Sequence, residues 1–230
     1  MRYLDLKRTI TCVTFLAMLA MAVRVVVDTD VYWHLAAGRY ILQAGIPFSD
    51  PFSATMFGKP WVDIYWLAQI GLYSIWAWLG MNGLMVLTAL IVILTFVFVW
   101  KQMSGGVWLR SIVLLLTALA TSEVWTARPH LLTFLFVAIL GYVLTLYQMH
   151  NIDRLWLIPF LFLIWVNVHG GYIAGFMLIG SMIIGEAVQC AFRIGDWRIW
   201  RVSSETETPP IGLSWIQWRK LTGVAFISVA

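Results

Sequence analysis

Seven apolar stretches decide what this chain can become. They fall at about 9–27, 61–80, 83–100, 108–124, 130–148, 155–168 and 171–190. An α-helix needs roughly 17–25 apolar residues to cross the ~30 Å hydrocarbon core of a bilayer. Of the 230 residues, 61% are hydrophobic and 11% charged, against about 25% charged in soluble domains. A water-soluble core of this size does not need that much apolar surface, so lipid is the solvent and a function in aqueous solution is excluded. The expected fold class is all-α: a polytopic membrane protein of about six transmembrane helices, with interfacial helices in a large first outer loop.

The N-terminal "MRYLDLKRTITCVTFLAMLAMAVRVVV" has the basic start, apolar body and Ala20-x-Ala22 pattern of a signal peptide. Its long apolar run favours a retained first spanning helix. The ambiguous stretch is 61–80, "WVDIYWLAQIGLYSIWAWLG", which carries Asp63, Gln69 and four tryptophans and suits a helix lying at the membrane interface. Basic residues arbitrate. If 61–80 does not span, eleven lysines and arginines lie on the cytoplasmic side and only Arg39, Lys59 and Arg128 lie outside. If it spans, four lie inside and ten outside. The positive-inside rule selects the first arrangement: six spans, both ends cytoplasmic, and an outer loop over about 28–82.

Residues 1–200 thus form the expected membrane domain, and 201–230 a polar, Pro-containing linker (201–214) followed by the start of a further span. That ending reads as the N-terminal part of a longer protein. Cys12 and Cys190 fall on the same, cytoplasmic side, so no disulfide is expected, and no metal-ligand spacing is evident. Small residues four apart, Gly171 to Gly175 and Ser181 to Gly185, suit close helix packing.

The polar groups gather on the outer side: Asp28, Asp30, His34, Asp50, Asp63, Glu123, Arg128, His130 and His169. Ionisable residues at a membrane are costly, so such a cluster is a candidate site. If 31–43 is helical, Asp30 and His34 share a face one turn apart. Each residue also has an ordinary reading. Asp30 suits a helix N-cap, whereas Asp28 precedes the cap and has no evident helical task. Asp50, before Pro51, suits a turn. Asp63 suits a first helical turn, where the dipole favours a carboxylate. Arg128, in "TARPHLL", runs against the charge rule; it suits either a phosphate grip through paired hydrogen bonds or a side chain reaching to the headgroups. His169, in "WVNVHGGY", faces either the outer cavity or an interface.

Taken together, "DTDVYWHLAAGRYIL…GIPFSDPFS…GKPWVDIYWLAQ", "ARPHLL" and "WVNVHGGY" resemble the bacterial GT-C-type membrane glycosyltransferases, relatives of the protein O-mannosyltransferases and lipid A aminoarabinose transferases. The resemblance runs over most of residues 1–190. It implies a bacterial inner-membrane enzyme working on the extracytoplasmic face, with a polyprenyl-phosphate-linked sugar as donor, membrane lipid around it, and a lipid, glycan or protein as acceptor. Nucleic acid is not an expected partner. On this pattern Asp28 or Asp30 is the catalytic carboxylate, Arg128 and His130 stabilise the departing phosphate, and His34, Asp63 and His169 complete the substrate site. The resemblance fixes no cofactor, and a divalent cation stays open: the Asp28-x-Asp30 pair would suit one through oxygen ligands. A transporter or lipid flippase and a non-catalytic scaffold are the competing readings. The first would need polar groups through the midplane; the second would tolerate loss of Asp28, Asp30 and Arg128.

Overall fold

The computed structural model describes residues 5–26, 28–194 and 215–228. The linker expected over 201–214 and the side chain of Cys190 lie outside the described residues. Among the described residues eight α-helices follow in order: α1 Leu6–Ala22, α2 Asp30–Ala44, α3 Trp66–Gln102, α4 Val107–Thr121, α5 His130–His150, α6 Leu157–Val166, α7 Tyr172–Ile194 and α8 Trp215–Ile227. Among the described residues there is no strand beyond an isolated bridge between Ser49 and Pro60. The all-α expectation holds.

Among the described residues three helices are long and apolar enough to cross a membrane: Trp66–Gln102, Val107–Val124 (α4 with the 3₁₀ turn that follows it) and His130–His150. Of the six expected spans, α6 is the clear departure. Its ten residues rise about 15 Å, half of the ~30 Å core. The run 155–168 looked longer because turn residues on both sides of α6 are also apolar. α1, with 17 residues, stands at the lower limit for a span.

α3 joins two stretches that the sequence separates, 61–80 and 83–100. It is bent at Gly80, whose φ of 62° and ψ of −158° lie outside any helical region. The first limb, 66–79, extends about 21 Å and is too short to span, in keeping with an interfacial role. α2, expected over 31–43, runs Asp30–Ala44 and stops at Gly45, whose φ of 87° breaks the helix. It packs tightly on the first limb of α3. A Cβ on Gly38 would stand 2.2 Å from the Gln69 carbonyl oxygen, so only glycine permits this approach.

Three buried clusters hold the helices together. Met18 and Ala22 of α1 meet Val92 and Phe96 of α3, Leu114 and Ala118 of α4, and Trp125. Val31 and Leu35 of α2 meet Leu72 and Leu84 of α3 with Ala127. Leu140 and Leu144 of α5 meet Ile158, Phe162 and Trp165 of α6, Ile179 of α7 and Leu221 of α8. Gly175 lets α7 lie on α6, since a Cβ there would come within 2.7 Å of Phe162 and Trp165. That is the packing expected of the glycine pair. Nothing stands within 4 Å of a Cβ on Gly185.

Candidate functional site

The turn between α4 and α5 presents Arg128. It is a short one: the Arg128 amide donates to the Thr126 carbonyl at 2.7 Å, Pro129 is fully buried, and Pro129 precedes the first residue of α5. His130 Nε2 donates to the Val124 carbonyl at 2.9 Å, stapling the turn across its base.

Two carboxylates from a distant segment close on the guanidinium. Arg128 Nη1 lies 3.2 Å from Asp28 Oδ2, and Nη2 lies 2.7 Å from Asp30 Oδ2. The two acids divide their work in the reverse of the expected sense. Asp30 is the first residue of α2 and its carboxylate goes to Arg128, while Thr29, at the N-cap, makes no side-chain capping bond. Asp28 supplies the local bond instead: its Oδ1 accepts the Asp30 amide at 2.9 Å. Asp28 therefore does have a helical task, and it is Asp30 that is released from one. Exposure follows the same division, with the side chain of Asp28 19% accessible and that of Asp30 46%. Burial pushes the Asp28 carboxyl upward, but the Asp30 amide and Arg128 outweigh it, with a smaller pull from Thr126, and hold it below the ordinary carboxylate range.

Three histidines complete the wall. His34 is buried in α2, with Gln69 Nε2 of α3 3.4 Å from its Nδ1. Burial, with Arg128 and His130 close by, pulls His34 down to about 3, so the ring is neutral at physiological pH. His169, in the α6–α7 turn, receives the Thr133 hydroxyl and the Gly171 amide on Nδ1, each at 2.9 Å. Burial and the charges of His130 and Arg128 lower its pKa as well. The rings run on through Tyr65, whose centroid is 5.6 Å from that of His34 and 5.5 Å from that of His169. Trp33 packs on His34 at 4.0 Å.

These side chains enclose one cleft of about 340 Å³, lined by Asp28, Asp30, His34, Arg128, His130 and His169 together with Trp33, Tyr65, Glu123 and Thr126. A second, apolar cavity of about 310 Å³ lies between α3 and α5, and Arg128 and Pro129 border both. Six of the seven site residues expected from the sequence thus line one cleft.

Asp63 does not line it. It is 5% exposed; its Oδ1 accepts the Tyr65 amide at 3.0 Å, and its Oδ2 is buried with no partner. Burial raises its pKa. Asp63 precedes α3 rather than sitting in its first turn, and its carboxylate holds the backbone of Tyr65, whose side chain lines the cleft. Asp50 is a turn residue, accepting the amides of Phe52 and Ser53. Tyr65, Thr133 and Trp165 were not legible as site residues, because each stands in an apolar or aromatic run with no local signal. Among the described residues no group of three or more His, Cys, Asp or Glu side chains is arranged to hold a metal ion; the Asp28-x-Asp30 pair instead faces a guanidinium. Comparison with known proteins finds no matching family model, no matching curated protein and no matching solved structure.

Proposed function

We propose that this chain is a membrane glycosyltransferase, similar to the GT-C type, that transfers a sugar from a polyprenyl-phosphate donor to an acceptor with inversion. The observation that carries the reading is the position of Arg128 at the junction of a polar cleft and an apolar cavity. A lipid-linked sugar has the same order of parts: an apolar chain, a phosphate, then a polar ring. The cell-level expectation follows the charge asymmetry of the sequence: a bacterial inner-membrane protein, both ends cytoplasmic, with the cleft on the extracytoplasmic face.

In the reaction, the donor phosphate competes with Asp30 for Arg128 and frees that carboxylate. Asp30, the more accessible acid, takes the proton of an acceptor hydroxyl or amine. The acceptor atom attacks the anomeric carbon from the face opposite the phosphate, and the bond between the anomeric carbon and the phosphate oxygen breaks. The leaving polyprenyl phosphate gains negative charge, which Arg128 stabilises. Asp28 keeps Arg128 in place, and the Trp33 and Tyr65 rings offer faces for a sugar.

One observation favours a structural role instead: both acids are engaged with Arg128, as a purely cohesive ion triplet would be. Turnover separates the two. With the chain in native membranes and a panel of lipid-linked sugars, release of polyprenyl phosphate is expected from the wild type. Asp30→Asn should lower it by about 100-fold or more with membrane insertion intact. Absence of turnover by the wild type with any donor would overturn the enzyme reading, and full turnover by Asp30→Asn would overturn Asp30 as its base.

A further inference from the structure

Thr133 behaves unlike other threonines of these helices. Thr11, Thr14, Thr95, Thr117 and Thr121 each donate to the carbonyl four residues earlier, the usual use of a hydroxyl in a helix. Thr133, in the first turn of α5, instead lies 2.9 Å from His169 Nδ1. It also accepts a hydrogen bond from Trp165 Nε1 at 3.0 Å, and Trp165 is fully buried at the end of α6. An indole nitrogen only donates, and so does a backbone amide. The Gly171 amide donates to the same His169 ring nitrogen at 2.9 Å, so that nitrogen accepts, and Thr133 gives it its proton while its oxygen takes the Trp165 hydrogen. Nδ1 must be an acceptor, and the ring's one proton must sit on Nε2.

The cradle has no slack. A Cβ on Gly171 would stand 2.5 Å from Thr133 Oγ1 and 2.6 Å from His169 Nδ1. Three segments, α5, the end of α6 and the start of α7, are thus fitted around one imidazole that lines the cleft.

We propose that Thr133, oriented by Trp165, is a positioning residue that locks His169 as an uncharged ring with its proton on Nε2, so that it can only donate there and selects an oxygen-rich ligand, the phosphate of a lipid-linked donor. A locked ring cannot serve as the base. It recognises a phosphate oxygen as a fixed dipole beside the guanidinium of Arg128. The identity of the ligand rests on the transferase reading; the lock does not.

The test uses the full chain in nanodiscs with ¹⁵N-labelled histidine, the His169 signals being identified by their loss in His169→Gln. Farnesyl phosphate, added to the bilayer at increasing mole fraction, is the probe. The wild type and Thr133→Ser should show an unprotonated Nδ1 and a protonated Nε2, and Nε2 should shift on adding the probe. Thr133→Val leaves the Gly171 amide as the remaining donor to Nδ1, so it should raise the share of the other tautomer and weaken the response about fivefold to tenfold, the effect of one hydrogen bond. Trp165→Phe, which frees the hydroxyl to turn away, should act in the same direction and serves if the valine variant does not fold. A proton on Nδ1 in the wild type, or an unchanged tautomer and affinity in both variants, would overturn the lock. A locked ring that ignores farnesyl phosphate would overturn the ligand assignment. Probe binding that follows the lock, without turnover of any sugar donor, would support this inference while removing the transferase reading.

Discussion

His34 carries a stability cost that depends on pH. Its folded pKa is about 3, against about 6.5 in an unfolded chain. Between those values the unfolded chain binds a proton that the folded ring refuses. Stability should therefore fall as pH drops from about 6.5 toward 3, with a slope of up to ~1.4 kcal/mol per pH unit from this residue. His169, whose pKa is also lowered by burial, adds to the same slope. Thermal unfolding in nanodiscs at pH 7, 6 and 5 should show a falling midpoint for the wild type and a shallower fall for His34→Gln. Asp63 acts with the opposite sign. Burial raises its pKa, so the stability it lends is greatest below the ordinary carboxylate value and is lost as pH rises, and Asp63→Asn should flatten that loss. At this scale the sequence told which residues matter better than it told what each does. Asp28 and Asp30 stood out because two acids end an apolar run, but which of them bonds the start of α2 is tied to the approach of Arg128 from a turn 100 positions away. No local pattern encodes that approach.

Among the elements, the α2–α3 pair sets the site most directly. α2 carries Asp30 and His34, and the first limb of α3 carries Gln69, which contacts His34. Gly38 is the hinge of their fit. Gly38→Ala would place a methyl group 2.2 Å from the Gln69 carbonyl oxygen, a backbone atom that cannot move aside alone. The helices must separate, at a cost of about 1–3 kcal/mol or more. The expected result is a lowered unfolding midpoint together with a changed ¹⁵N signal at His34, because Gln69 moves with its carbonyl. Apolar periodicity and the glycine at position 45 made α2 readable to within a residue at each end. α6 was misread for a physical reason: Leu155, Trp156 and Val168 are apolar but lie in turns, where Leu155 and Val168 are buried and Trp156 is exposed, and hydropathy alone does not separate an apolar turn from a turn of helix.

On the scale of the whole molecule, alternating helix directions bring separate loops together. The ends of α1, α4 and α6 meet the starts of α2, α5 and α7 at the cleft, so residues more than 100 positions apart meet there. An up-and-down reading of the apolar runs foretold this gathering, and with it most of the site. It did not foretell Tyr65, whose place depends on the bend of α3. Unbent, 37 helical residues would extend about 55 Å, far beyond a bilayer core. Gly80→Ala should cost about 1–3 kcal/mol, all of it in the backbone because nothing stands within 4 Å of the new Cβ; a lower unfolding midpoint with reduced turnover is the outcome to measure. Reversing the signs of its φ and ψ, 62° and −158°, gives the ordinary extended conformation of an L-residue. Position 80 is thus a place where this chain adopts the geometry of the opposite enantiomer. By semisynthesis, D-alanine there should be accommodated at little backbone cost where L-alanine is strained, which makes the bend a question of chirality rather than of size.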